Sequence, residues 1–130
     1  MKVRPTQPPL RTSSVPGVVE ASVIEGVLLR GQVLERREQR NEARALYENA
    51  LRDGTAATAA DMVQLHWLIA RTFMEDGDLA AAEDSATAAL AISRQTQDEA
   101  GEGRAINTLA AIQWNQGEHE EARELISRHT

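Results

Sequence analysis

Residues 77–90 read GDLAAAEDSATAAL: a glycine and an aspartate, then a run in which small side chains recur at helical spacing. Gly77 suits a left-handed helix stop, and Asp78 suits the N-cap of the helix that follows. The opening of this stretch returns 40 residues later, where Gly117-Glu118-His119-Glu120-Glu121-Ala122 repeats Gly77-Asp78-Leu79-Ala80-Ala81-Ala82 in type. Its end has a counterpart upstream, because Ala82, Ala86, Ala89 and Leu90 fall 39 residues after Ala43, Tyr47, Ala50 and Leu51. Gly31, Ala70 and Ala110 form another small-residue series, 39 and 40 residues apart; Leu34 precedes Phe73 by 39 and Ile69 precedes Leu109 by 40. A fixed period between about 20 and 50 residues marks a chain that stacks one supersecondary unit on the next.

The small residues have a physical purpose. Gly31 and Ala43, Ala70 and Ala82, and Ala110 and Ala122 each stand twelve apart. One member falls on the first helix of a unit and the other on the second, so two helices can cross closely. Tyr47 and Ile126 supply bulk on the second helix, where Ala86 takes the same place in the middle copy. Each hairpin buries one flank of itself and needs a neighbour for the other.

Working outward, residue usage from Val18 onward is that of helices, rich in Ala, Leu, Glu, Arg and Gln, with no alternating strand pattern. Breaks are expected at Gly54-Thr55, Gly77-Asp78, Gly101 to Gly103 and Gly117-Glu118, and Thr96 to Glu99 fits a capping box. These signals predict helices near 18–37, 40–53, 55–76, 78–95, 97–116 and 118–129. All four prolines lie in the first sixteen residues, so 1–17 reads as a disordered leader ahead of one folded domain over 18–130. The leader has no apolar run of the kind a signal peptide needs, and Glu20, Glu25 and Arg30 interrupt the best candidate span. A cytoplasmic protein with no membrane contact is expected. The chain has no cysteine, which removes disulfides, thiolate metal sites and thiol nucleophiles.

The repeat resembles the tetratricopeptide repeat (TPR): paired small residues, a Gly-Asp turn before the second helix, and a closing Ala-Leu. The best copy runs from Gln64 to Leu90. The connection AISRQTQDEAGEGRAINTLAAI is similar to the longer form, of about 40 residues, found in signalling adaptors and bacterial regulators. The resemblance covers about residues 24–130. It implies an all-α, right-handed solenoid of three antiparallel hairpins, near 18–53, 55–95 and 97–130. It also implies that first helices line a concave groove holding a partner's peptide or helix. Carried over by phase, the groove stripes are Glu25, Leu28, Gln32, Glu35; Gln64, Trp67, Arg71, Met74; and Arg104, Asn107, Ala111, Trp114. Of these, Leu28, Trp67, Met74 and Trp114 would give apolar contact, and Gln32, Arg71, Arg104 and Asn107 polar orientation. Trp67 and Trp114 could equally pack between adjacent first helices. The resemblance thus implies an interaction scaffold, or alternatively the peptide-sensing part of a larger bacterial regulator.

The first copy departs from the pattern, with Glu38-Gln39 where the others have glycine and an acid, and one continuous helix from 18 to 53 is the alternative there. Outside the repeat there is little chemistry. His66 reads as a packing residue, and His119 has no second histidine at zinc-protease spacing. Glu75 to Asp78 lacks the remaining ligands of a calcium loop and reads as caps on a turn. No catalytic residue, metal or cofactor is expected. Fourteen basic and twenty acidic side chains give a net charge of -6, which disfavours nucleic acid. Charge is uneven: residues 1–52 hold nine basic and six acidic groups, net +3, and 53–130 hold five and fourteen, net -9. The basic excess gathers at Arg36, Arg37, Arg40 and Arg44, where interleaved Glu35, Glu38 and Glu42 make helical ion pairs natural. No polar capping helix follows Ala122 to His129, so the last hairpin is expected to meet a second copy or a longer parent chain.

Overall fold

The computed structural model describes the backbone of residues 16–117 and 119–129, and the side chains of 23–117 and 123–128. Six helices follow in order: α1 (Pro16–Arg36), α2 (Arg40–Arg52), α3 (Ala59–Asp76), α4 (Leu79–Gln95), α5 (Glu99–Asn115) and α6 (His119–His129). The described residues contain no strand, and the protein is all-α. Residues 1–15 of the expected leader lie outside the described residues. Pro16 and Gly17, which were expected to belong to it, begin α1 instead; proline fits there because a first-turn N–H has no helical partner to lose.

Three of the turns between helices share one closure. At Gly77 the backbone is left-handed, with φ 82°, and the Asp78 amide donates 2.9 Å to the Phe73 carbonyl. Glu38 and Gln97 take the same hand, φ 60° and 58°, and the amides after them donate 2.8 Å to Leu34 and Ser93. These are bonds of the Schellman type. The chain therefore breaks after Arg36 rather than continuing as one helix from 18 to 53. Left-handed Glu38, Gly77 and Gly117 (φ 85°) stand 39 and 40 residues apart.

Three boundary expectations are corrected. The start of α5 is capped by Asp98, whose carboxylate accepts 3.0 Å from the Gly101 amide, while the Thr96 hydroxyl donates back to Ile92 at 2.9 Å. Asp98 wins because it directly follows left-handed Gln97, where the chain has already turned, while Thr96 is still the C-cap of α4. Gly101 to Gly103 lie inside α5 and do not stop a helix. Gly101 is buried, and a Cβ there would stand 2.6 Å from the Asp98 carboxylate and 3.0 Å from Val63, so it serves close approach to α3. Finally, α3 begins at Ala59 rather than 55, with Thr58 accepting from the Asp61 amide at 3.1 Å. Thr55 lies in the connection between α2 and α3, where the Asp53 carboxylate takes its amide at 2.9 Å and its hydroxyl at 2.7 Å.

Each helix packs on the next in sequence, and α3 also touches α5. Ile24, Val27, Tyr47, Leu65 and Leu68 fill the space between α1, α2 and α3. Past them the interior narrows to alanine: Ala82, Ala86 and Ala89 present α4 to α3 and α5 with almost no exposure. Gly31, Ala43, Ala70, Ala82 and Ala110 are all buried. The side chain of Ala122 lies outside the described residues. At Gly31 a Cβ would fall inside the Tyr47 ring, which occupies the space the glycine leaves.

Candidate functional site

The site begins with a buried phenol. Tyr47 on α2 is fully enclosed, and its hydroxyl donates 2.5 Å to Glu35 of α1. Burial, with the Glu35 carboxylate beside it, pushes the phenol up, so Tyr47 stays a neutral donor. The other Glu35 oxygen takes Arg71 of α3 through two guanidinium nitrogens, at 2.7 and 3.2 Å. Glu35 is thus the joint between α1, α2 and α3.

From Arg71 the arrangement continues to an aromatic ring. The Arg71 guanidinium lies 5.1 Å from the centre of the Trp67 ring, and Arg104 of α5 lies 4.9 Å from it. Trp67 donates its indole N–H 3.0 Å to the Thr108 hydroxyl, which donates in turn to the Arg104 carbonyl at 2.9 Å. Trp67 is half-buried and packs against the core cluster shared by α1, α2 and α3. Of the two expected alternatives, packing against the core is seen in part, and the residue also lines a hollow. Buried hydrogen bonding fixes the ring's plane and leaves part of it available.

Around the ring lies a hollow of about 380 Å³, lined by Trp67, Arg71, Met74, Arg104, Asn107, Thr108 and Ala111. Beside it a second hollow of about 480 Å³ is lined by Gln32, Glu35, Arg36, Arg71 and Glu75, with Arg71 as the shared wall. The fold therefore brings together six of the eight expected groove residues: Gln32, Trp67, Arg71, Met74, Arg104 and Asn107. Leu28 is not among the lining residues; it is half-buried against the core cluster. Trp114 is half-exposed near the end of α5 and lines neither hollow.

Chemically the two arginines differ. Arg71 is committed to Glu35, so it serves as a strut. Arg104 is exposed, with no ion pair among the described residues, and Asn107 beside it is exposed too. Thr108, Arg36 and Glu75 are lining residues that sequence reasoning did not select. Thr108 carried a faint signal, since it lies four residues after Arg104, the spacing at which a threonine bonds the preceding turn.

The arginine cluster at the first turn is used differently from the expected pairing within a helix. Arg40 and Arg44 both reach Asp76 on α3, at 2.7 and 2.5 Å, and Arg44 also stacks over Phe73 at 3.9 Å. These two guanidiniums hold the Asp76 carboxyl below the usual carboxylate range. Asp78 caps α4, accepting from the Ala81 amide at 3.2 Å. His66 is half-buried, and burial pushes its imidazole below the ordinary value. No described helix is long and apolar enough to cross a membrane.

No family model and no curated protein matches this chain.

Proposed function

We propose that this chain is a protein–protein adaptor of the tetratricopeptide type, a right-handed solenoid of three hairpins that takes a partner's peptide or helix across α1, α3 and α5. Two recurrences support the solenoid reading. The second helices begin at 40, 79 and 119, and the left-handed residues before them recur at the same interval. The first helices of successive units are also cross-linked, α1 to α3 by Glu35–Arg71 and α3 to α5 by Trp67–Thr108.

The observation that carries the function is the Trp67 ring, with Arg71 and Arg104 beside it, lining a hollow with Met74 and Asn107. An apolar side chain of the partner rests on Trp67 and Met74, whose thioether adapts to irregular shapes. Arg104 and Asn107 take the partner's carboxylate or backbone carbonyl. Tryptophan and arginine are the residue types that most often dominate an interface, and here Trp67 and Arg71 are held by hydrogen bonds before binding, which lowers the ordering cost.

The test uses peptides selected from a random display library on the wild-type chain. Arg104→Glu with Asn107→Ala weakens the selected binders at least about tenfold while melting stays unchanged, because both side chains are exposed. Binders that hold both chains equally well remove this hollow as the binding surface.

A further inference from the structure

We infer that the outer face of the α1–α2 hairpin is a self-association surface, occupied by the same face of a second copy of this chain. The face stands apart from the Trp67 hollow and does not depend on the adaptor reading. Leu29 and Val33, one turn apart on α1, are 65% and 42% exposed, large apolar side chains left open on one face. Leu29 and Val33, with Leu34, form one wall of a groove of about 610 Å³ whose other wall is Ala45 and Leu46 of α2.

Charge on the rim selects the occupant. Arg30 stands on the α1 side and Glu42 on the α2 side; both are exposed, and neither has an ion pair among the described residues. The rim is neutral in sum and opposite in sign across the groove, so it complements itself. A two-fold axis running along the groove lays α1 of one copy over α2 of the other. Arg30 then faces the partner's Glu42, displaced by about one helical turn, within the span of an arginine side chain. A two-fold axis across the groove would set α1 on α1 and bring like charge to like. The first arrangement buries apolar surface on both copies, pairs two cations with two anions, and closes as a dimer without exposing the patch again.

The full chain is examined by light scattering and sedimentation equilibrium over micromolar concentrations. The wild type is a dimer, and Leu29→Glu is a monomer of unchanged helicity, since Leu29 holds no core position. Arg30→Glu or Glu42→Arg alone raises the dissociation constant about tenfold, each acting at two symmetry-related pairs. Arg30→Glu combined with Glu42→Arg restores it. A wild-type monomer overturns the proposal and gives the groove to another occupant. So does a dimer indifferent to Leu29→Glu, or a double reversal no better than either single change.

Discussion

Gly31 and Gly26 stand five residues apart on α1 and face opposite circumstances. A Cβ at Gly31 would enter the Tyr47 ring, whereas one at Gly26 would meet nothing within 4 Å. Both positions are helical, so alanine gains about 0.5–1 kcal/mol of backbone preference at either. At Gly31 that gain is outweighed by overpacking, which costs about 1–3 kcal/mol when the neighbour cannot move. Tyr47 cannot move freely, being fully buried and tied to Glu35. Gly26→Ala is expected to stabilise the chain by about 0.5–1 kcal/mol, and Gly31→Ala to destabilise it by about 1–2 kcal/mol. Urea unfolding of the two variants checks the signs, and a stabilised Gly31→Ala would show that the ring has room to yield.

At the scale of elements, the turns decide where helices end, and three of them use one backbone shape with unequal residues. Gly77 reaches the left-handed region without strain, while Glu38 and Gln97 carry a Cβ there. For most side chains that conformation costs about 1–2 kcal/mol, part of which glycine returns as greater freedom in the unfolded chain. Glu38→Gly and Gln97→Gly are therefore expected to stabilise by about 0.5–1 kcal/mol each, and Gly77→Ala to destabilise by about 1–2 kcal/mol. Thermal melting compares them directly; a loss of stability in both glycine variants would falsify the strain account. The same turns show what was legible in the sequence. The break at Gly77 could be read because glycine announces a left-handed stop. The break expected between 37 and 40 carried no glycine, which left one continuous helix as its alternative; the Gln39 amide closing onto the Leu34 carbonyl at the end of α1 decides for the break. Thr96 misled because it and Asp98 are both good caps, and only the direction of the chain after Gln97 chooses between them. That Trp67, Arg71, Met74, Arg104 and Asn107 would stand around one hollow was legible by phase, since helical spacing puts the first three on one side of α3 and the last two on one side of α5. Leu28 and Trp114 obeyed the same phase, but whether a neighbouring helix covers a stripe position is set by helix packing, which spacing does not encode.

On the scale of the whole molecule, a polar line runs from Tyr47 through Glu35 and Arg71 to Trp67, and from there to Thr108, linking α2, α1, α3 and α5. A parallel link joins α2 to α3, where Asp76 receives Arg40 and Arg44. Packing between helices here relies heavily on alanine, which buries little area per side chain, so these links matter more than they would beside a bulky core. The Asp76 link and the separately buried His66 make stability depend on acid in two ranges. His66 has its imidazole depressed by burial, so the unfolded chain takes up a proton first as pH falls. Stability is therefore full at neutral pH, begins to fall as pH drops below the ordinary histidine value of 6.5, and stops falling from this source once the folded imidazole is protonated as well. Asp76 has its carboxyl depressed first by the hydrogen bond from Arg40 and then by that from Arg44. Its contribution is intact above the ordinary value of 3.8 and disappears as pH falls through its lower folded value. The urea midpoint against pH is thus expected to decline in two stages. His66→Gln flattens the upper stage and leaves the lower one, while Asp76→Asn lowers stability at neutral pH and reduces the lower stage. If His66→Gln leaves the upper slope unchanged, the buried imidazole is not its source.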